Sequence, residues 1–412
     1  MQLPNYPITQ LPNYPITHNP QYMINKKLLE AIIQKHYAYL KGVNFQGWDV
    51  LDGLNSRLFQ KLPFHNNKYV RLAWIQLFRR SPINLRLICQ VPKGDNPKAL
   101  ALFISSLLRL GDYYRDTALF TQAMALYERL MALRSHGYSG LCWGYNFDWQ
   151  ALAFNVPQFK PNMICSVFAG QALLDLFERT QDDHFLTEAR QVAEFIFKHL
   201  LLIEERDRLC FGYIPGEPAV IHNVNLVAAA YLARIYHVTG ENDYRAWAER
   251  AVRFSVGGQR GDGAWPYGQR GHHQWVDNFH TGYNLLALYQ YQRFCRDRQF
   301  EPALIKGMDF HLTHHFTPEL LPKYSDRCRY PLDVHCFAQA LITFVTLRDS
   351  IVDSRARAER MVAHAITMLW DERRHYFYYK QSRCFKSKIP YIRWSQAWMF
   401  YALSYFLMNW NE

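Results

Sequence analysis

The chain has 412 residues, of which 49% are hydrophobic, so it is long enough to bury a large core. Its formal charge of +12 favours an anionic partner, such as an acidic polysaccharide, a nucleic acid or a membrane surface. Lys and Arg are spread along the chain in short groups, however, and no apolar run approaches the roughly 18 residues of a membrane span, so we expect no nucleic-acid binding and no membrane span.

The N-terminus contains a direct repeat, because residues 2–9 (QLPNYPIT) recur at residues 10–17. Two prolines in every eight residues exclude a helix there, so residues 1–25 are predicted to form a disordered tail and residues 26–412 a single domain. The eight cysteines show no Cys-x-x-Cys or zinc-finger spacing, which indicates reduced thiols in a cytoplasmic protein. We expect neither a metal nor a cofactor.

Six helices that start polar and then become rich in Ala and Leu follow in chain order. Aligning Asn225, His280, His335 and Ser395 gives steps of 55, 55 and 60 residues. A short turn and a second helix with charges on one face follow each of the first five, so the predicted unit is a helical hairpin. The hairpins are predicted near 27–90, 98–135, 161–200, 222–256, 277–316 and 332–370, before a final helix at 391–409 whose partner would be the first helix.

Segments rich in Gly and aromatic residues connect the hairpins, at 142–149, 210–217, 264–268, 321–326 and 376–381. Each leads from an outer helix to the start of the next inner helix, so all of them should gather at one end. A cavity is expected there, lined by loop aromatics and by helix-start N–H groups, which favour anions and polar oxygens. Because the period is longer than the about 34 residues of TPR units or 40 to 47 of HEAT units, we predict an all-α, closed (α/α)6-type toroid rather than an open superhelix.

The pattern resembles the α/α-toroid superfamily, which includes six-hairpin glycosidases, polysaccharide lyases, uronyl epimerases and terpenoid cyclases. The resemblance covers roughly residues 98–409 and rests on the period, on GDGAWPYG at 261–268 and on DNFHTGY at 277–283. It implies a carbohydrate-active enzyme. The Asp-rich acid motif of the terpenoid cyclases is missing from the sequence, and Asp333, His335 and Cys336 do not have the spacing of a zinc signature.

The densest group of polar and aromatic residues lies at 265–283. Asp277 precedes an inner helix, and His280 and Tyr283 follow at helical spacing, so these three residues are catalytic candidates. The alternative is structural, with Asp277 or Asn278 capping the helix and His280 packed beside it. The same stretch supplies the predicted substrate-binding residues Trp265, Tyr267, Arg270 and Asn278.

Corresponding positions in the other units supply further candidates. Asp148 and Glu217 are predicted as catalytic carboxylates, although Asp148 would serve equally well in a turn. The remaining predicted substrate-binding residues are Trp143, Tyr145, Trp149, His222, Asn225, Asp333, His335, Arg393 and Trp394.

Two kinds of chemistry fit these residues. Glycoside hydrolysis uses two carboxylates roughly 5 to 10 Å apart, for which Asp148, Glu217, Asp277 and Asp333 are available. Elimination or uronate epimerisation uses a base, an acid and a cation, and His280, Tyr283, Tyr267, Arg270 and His222 fit that set better.

The sequence therefore favours an enzyme that acts on a polysaccharide or oligosaccharide by hydrolysis, elimination or epimerisation, in surface-polysaccharide metabolism. An anionic carbohydrate would suit the basic charge. One alternative is a non-catalytic toroid that binds a glycan or a protein. The other is an isoprenoid-handling toroid, which would require a hub lined mainly by Phe, Tyr and Trp.

Overall fold

The computed structural model describes residues 24–150 and 155–410. Within these ranges the α-helices are α1 (Lys26–Gly42), α2 (Lys68–Arg80), α3 (Leu85–Ile88), α4 (Pro97–Tyr114), α5 (Thr117–Ala132), α6 (Met163–Thr180), α7 (Asp183–Leu200), α8 (His222–Thr239), α9 (Asn242–Val256), α10 (Asn278–Cys295), α11 (Glu301–His314), α12 (Val334–Thr346), α13 (Ser354–Leu369) and α14 (Trp398–Met408). Short 3-10 helices lie at Asp52–Asn55, Phe59–Lys61 and Gly271–His273, and a π-helical segment, Ile392–Ala397, leads into α14.

The strands are short and lie in the connections between hairpins. They are β1 (Trp149–Gln150), β2 (Asn155–Val156), β3 (Leu201–Glu204), β4 (Leu209–Phe211), β5 (Leu332–Asp333), β6 (Trp370–Asp371), β7 (Tyr376–Phe377), β8 (Lys380–Gln381) and β9 (Lys386–Ser387). All pairs are antiparallel: β1 with β2, β3 with β4, β6 with β7, and β8 between β5 and β9.

Six inner helices form a closed ring. Helix α4 packs against α6, and the contacts continue in order through α8, α10, α12 and α14 before α14 returns to α4. Helices α5, α7, α9, α11 and α13 each pack outside the inner helix that precedes them, and α1 packs against α14. The prediction of an all-α toroid is confirmed, and so is the pairing of the last helix with the first.

Side-chain caps fix where four inner helices begin. Asn96, Asn162, Asp277 and Asp333 each accept a hydrogen bond from a backbone N–H in the first turn of the helix that follows. Beyond the caps, the inner helices are buried over most of their length because Leu, Ala, Ile and Phe fill both the ring interior and the contacts with the outer layer. The caps therefore place polar groups of several helices at one end of the ring.

The predicted first hairpin at 27–90 is wrong. Only α1 belongs to the ring, and residues 43–96 form an insertion that contains α2 and α3. The insertion lies at the crossover end, because Trp48 accepts a backbone hydrogen bond from Ile392 and Gly47 pairs with Gly94. The repeat could not reveal this, since the insertion carries no copy of it.

No helix within the described ranges is both long and apolar enough to cross a membrane. Of the predicted tail, residues 1–23 lie outside the described residues.

Candidate functional site

Asp277 and His280 form a hydrogen-bonded pair at the start of α10. One carboxylate oxygen of Asp277 accepts from the backbone N–H of His280 at 2.8 Å, and the other lies 2.8 Å from Nδ1 of the imidazole. An N–H at Nδ1 satisfies the carboxylate and leaves the Nε2 lone pair free. The Asp277 side chain is only 3% exposed, whereas that of His280 is 20% exposed, so the free nitrogen belongs to the more accessible partner. Asp277 therefore caps the helix, as the structural interpretation expected, and it also contacts the imidazole of His280.

A second imidazole lies at the start of the neighbouring inner helix, α12. Nε2 of His335 lies 2.8 Å from the hydroxyl of Tyr283, and the ring stacks on Phe279 and Trp398 with centroids 4.7 Å away in each case. Burial and the positive charges nearby lower the pKa of His335 well below its usual range, so this imidazole is neutral. Burial also raises the pKa of Tyr283, which keeps its hydroxyl protonated.

Asp333 supports His335 through the backbone. One carboxylate oxygen accepts from the His335 N–H at 2.9 Å and from the Trp394 indole at 2.8 Å. Burial raises the pKa of Asp333 to about 6. Trp394 in turn packs edge-on against the His335 ring, with centroids 4.8 Å apart. Asp333 and Trp394 therefore hold the second imidazole in place.

Lys98 lies at the start of α4 inside a box of aromatic rings. Its ammonium nitrogen is 4.2 Å from the centroid of Phe168, 4.8 Å from that of Trp398 and 5.6 Å from that of Tyr283. The residue is 3% exposed, and among the described residues no carboxylate forms an ion pair with it. Burial and the nearby Arg393 lower the pKa of Lys98, while the ring faces favour its charged form.

Arg393 is held by a partner from the insertion. Its guanidinium makes two 2.7 Å hydrogen bonds to the two carboxylate oxygens of Asp49, and both side chains are 3% exposed. The guanidinium also lies 4.7 Å from the ring centroid of Tyr145. Because Asp49 neutralises it, Arg393 orders the wall of the hub and offers little charge to a ligand.

The three aromatic rings around Lys98 separate this polar cluster from a cavity of about 510 Å³. The cavity runs from the second turn of each inner helix towards the C-terminal ends, where Arg109 and Arg234 line it. Of the predicted site residues only Tyr283 lines it. The sequence placed a cavity at the crossover end instead, where the insertion at residues 43–96 contacts the hub through the Asp49–Arg393 pair.

Several predicted sugar-binding residues are built into the core. Trp143 and Trp265 are 0% and 2% exposed, and their indole N–H groups donate to Leu130 and Ser255, near the C-terminal ends of outer helices α5 and α9. Each of these carbonyls also accepts from a backbone N–H just beyond its helix, that of Leu133 or Gly258, so the crossover tryptophans add a second hydrogen bond at the helix ends. The side chain of Asn225 is likewise engaged in structural hydrogen bonds, which link β4 to the end of α9.

The predicted carboxylates Asp148 and Glu217 have structural partners. Asp148 accepts from the backbone N–H of Gln158 at 2.7 Å, which is the turn role considered as the alternative. Glu217 and Arg270 form an ion pair at 2.6 Å, so this cation and this carboxylate neutralise each other. Within the described residues neither carboxylate forms an ion pair with His280 or His335, and Asp277 is the carboxylate that contacts His280.

The remaining predicted residues surround the polar cluster. His222 is 2% exposed beside Gly258, and burial lowers its pKa to about 4. Asn278 donates from its side-chain amide to the carbonyl of His315, within the packing of α10 against α11. Tyr267 lies 4.9 Å from the ring centroid of His280, and Trp149 meets Tyr213 edge-on at 6.3 Å.

Sequence reasoning missed Lys98, Asp49, Tyr213 and Trp275. Trp275 stacks on Tyr267 at 4.3 Å and also borders His280 at 5.5 Å, with 43% of its surface exposed. The sequence does contain a signal for Lys98, because a lysine in the first turn of an apolar inner helix is rarely buried without a purpose. The pairing of Asp49 with Arg393 spans 344 residues and leaves no local pattern.

No protein-family model and no curated protein sequence matches this chain. Solved structures do match it. A cellobiose 2-epimerase from Bacillus thermoamylovorans is 14% identical and covers 75% of this chain and 87% of its own, with a TM-score of 0.60. A D-mannose isomerase is 10% identical over 95% of this chain and 99% of its own, with a TM-score of 0.65. An unsaturated glucuronyl hydrolase specific for heparin is 11% identical over 92% and 96%, with a TM-score of 0.61. The chain thus has the α/α-toroid fold that these enzymes share, as the resemblance implied.

Proposed function

We propose that the protein is a carbohydrate-active enzyme that moves a proton at a sugar carbon beside a carbonyl group, and so epimerises or isomerises its substrate. The observation that carries this proposal is the Asp277–His280 pair, in which the carboxylate holds Nδ1 and leaves Nε2 as a base. The likeness in fold to a cellobiose 2-epimerase and a D-mannose isomerase supports it.

The reaction needs no group beyond those of the hub. Nε2 of His280 takes a proton from the carbon, the C–H bond breaks, and the electron pair moves into an enediolate. Return of a proton to the opposite face gives the epimer, and delivery to the adjacent carbon gives the isomer. The Tyr283 hydroxyl and neutral His335, which share a hydrogen bond, form a second proton-transfer unit, and Lys98 lies near Tyr283 as an amine that stabilises the enediolate charge in its protonated form.

Hydrolysis is the weaker candidate because it needs an acid and a base carboxyl group on either side of the bond. Asp148 and Glu217 are engaged elsewhere, Asp277 is bound to His280, and Asp333 caps α12 and accepts from Trp394. A purely binding role is disfavoured by the same geometry, since a ligand-binding hub has no need of a carboxylate-oriented imidazole.

The decisive experiment is incubation in deuterated water with a panel of aldoses, ketoses, β-linked disaccharides and uronate polysaccharides, followed by NMR. We expect deuterium at the carbon next to the carbonyl and a new epimer or ketose. His280→Gln should abolish exchange, and His237→Gln, at the far end of the ring, is the matched control. Chain cleavage without deuterium on carbon would refute the proton-transfer proposal in favour of hydrolysis, and saturable binding without exchange would favour the binding role.

A further inference from the structure

The insertion concentrates the positive charge of the chain. Residues 53–94 contain eight Lys or Arg and no Asp or Glu, which leaves 39 basic and 35 acidic residues, a net charge of +4, for the rest of the 412 residues. The exposed basic side chains of this segment are Arg57, Lys61, Lys68, Arg80 and Lys93. The positive charge is therefore concentrated in this segment, in contrast to the sequence interpretation, and five of its eight cations are exposed.

The same segment exposes most of the large apolar side chains that the described residues leave in solvent. Eight of fourteen lie between residues 58 and 88, and the other six are scattered over the remaining described chain. The most exposed are Phe64 (70%), Tyr69 (74%), Ile83 (66%), Leu87 (69%) and Ile88 (68%). Apolar exposure this concentrated marks an interaction surface rather than ordinary surface composition.

Helix α2 contributes to this apolar surface although its other side is well packed. Ile75 and Phe78 on one side are 3% and 1% exposed and pack into the insertion. Tyr69 and Leu77 lie eight residues apart, so they share one side of the helix, and that side faces away from Ile75 and Phe78. They are 74% and 51% exposed. The helix thus packs on one side against the 3-10 helix Asp52–Asn55 and strand β1, and it exposes apolar side chains on the other.

We propose that residues 57–88 form a docking surface for an anionic lipid bilayer. Basic side chains interleaved with exposed Leu, Ile, Phe and Tyr are the composition of segments that lie in the headgroup region, where cations meet lipid phosphates and apolar side chains enter the acyl boundary. Such binding is peripheral and needs no spanning helix. A second copy of the chain is disfavoured as occupant, because a two-fold contact through this surface would bring its uncompensated positive charges together.

Vesicle co-sedimentation of the full chain tests the docking surface. We expect binding to vesicles of phosphatidylcholine with 30 mol% phosphatidylglycerol and at least tenfold weaker binding to phosphatidylcholine alone, because each surface cation strengthens binding to anionic lipid roughly fivefold. Binding should be lost in 0.5 M salt, because salt screens these charges. Leu87→Ser with Ile88→Ser, and separately Lys61→Glu with Lys68→Glu, should each weaken binding at least tenfold. Ile305→Ser with Lys306→Glu replaces an exposed apolar and basic pair on outer helix α11, where Ile305 is 40% exposed, and should leave binding unchanged.

All variants change exposed side chains, and circular dichroism with thermal unfolding verifies that they fold. Equal binding to both vesicle types, or undiminished binding of the Leu87 and Ile88 variant, would overturn the proposal. Sedimentation velocity without lipid supplies the remaining arm: a dimer that the same variant converts to a monomer would assign the surface to a second copy and overturn lipid docking. The outcome does not depend on the proposed sugar chemistry.

Discussion

Replacement of Asp277 by Asn tests whether Asp277 orients His280 as a base, because the variant should change which nitrogen of the imidazole carries the hydrogen. The native carboxylate accepts two hydrogen bonds of 2.8 Å, one from the His280 backbone N–H and one from the ring at Nδ1. A carboxamide of the same size has only one acceptor oxygen. If that oxygen keeps the cap, the amide N–H₂ faces Nδ1, so the hydrogen of the imidazole moves to Nε2 and the base is lost.

If the carboxamide turns the other way, the ring keeps its tautomer and the helix loses its cap. Loss of an N-cap costs about 1 kcal/mol, and the capped orientation should therefore dominate. We expect D277N to fold with a melting temperature within a few degrees of the native value and to lose roughly 10²- to 10⁴-fold in the rate of proton transfer, the usual contribution of a positioned general base.

The assay is deuterium incorporation into the sugar that the NMR panel identifies, with kcat and KM determined separately. Asp182→Asn is the matched control, because Asp182 caps outer helix α7 through the His184 N–H at 2.9 Å and makes the same kind of bond far from the hub. Turnover of D277N within tenfold of native would refute the assignment of His280 as a base oriented by Asp277.

Three further predictions concern the hub and its burial. Tyr283→Phe removes the hydroxyl that lies 2.8 Å from Nε2 of His335, and kcat should fall about 10- to 100-fold with little change in KM; initial-rate kinetics with unchanged kcat would contradict this. Asp333→Asn keeps an oxygen that can accept both hydrogen bonds of the native carboxylate. Because burial raises the pKa of Asp333 from 3.8 to about 6, the native carboxyl group destabilises the folded state increasingly as pH rises through that interval, so urea unfolding of the variant should show a gain in the free energy of unfolding of up to about 3 kcal/mol at pH 8 that shrinks towards pH 5. An equal gain at both pH values would be inconsistent with the raised pKa. Acid should destabilise the protein between pH 6.5 and pH 5, because unfolding releases five imidazoles that deep burial keeps neutral, against three carboxyl groups, Asp52, Glu188 and Asp333, with raised pKa that act in the opposite sense. The five imidazoles are those of His36, His222, His311, His315 and His335. The free energy of unfolding should fall as the pH is lowered from 6.5 to 5, and a rise would contradict the prediction.

The ring could be predicted because every unit repeats the same physical problem. A polar start, an apolar inner helix and an amphipathic outer helix recur with a nearly constant period, and the pairing partners follow from that order. The period also aligned His280 with His335, which lie on neighbouring helices and both contribute to the hub. The insertion has no counterpart in the other units, so neither α2 nor the ion pair of Asp49 with Arg393 was predictable from a local pattern.

The recurrence of tryptophan in the crossovers has a structural reason. Trp143 and Trp265 occupy equivalent places in two crossovers, and that recurrence suggested a ring of sugar-stacking side chains. Recurrence arises equally well when each unit has the same structural need, and here both indoles donate to carbonyls at the ends of outer helices. A side chain that serves the substrate should instead differ between units, because the substrate is not six-fold symmetric.

The helix caps show this distinction most clearly. Four inner helices begin at a side-chain oxygen that accepts a first-turn N–H, and for Asn96 and Asn162 a carboxamide is sufficient. Capping therefore does not explain a carboxylate at position 277 or 333, where a negative charge must be buried against an unfavourable desolvation energy. At 277 the second oxygen orients His280, and at 333 the same oxygen that caps α12 also holds Trp394 against His335. A toroid brings six helix starts together, so replacing an amide cap with an acid converts a structural position into one that can position a base. The two helices that begin at an acid are neighbours in the ring, so a substrate bound as proposed would lie beside the two imidazoles that they carry.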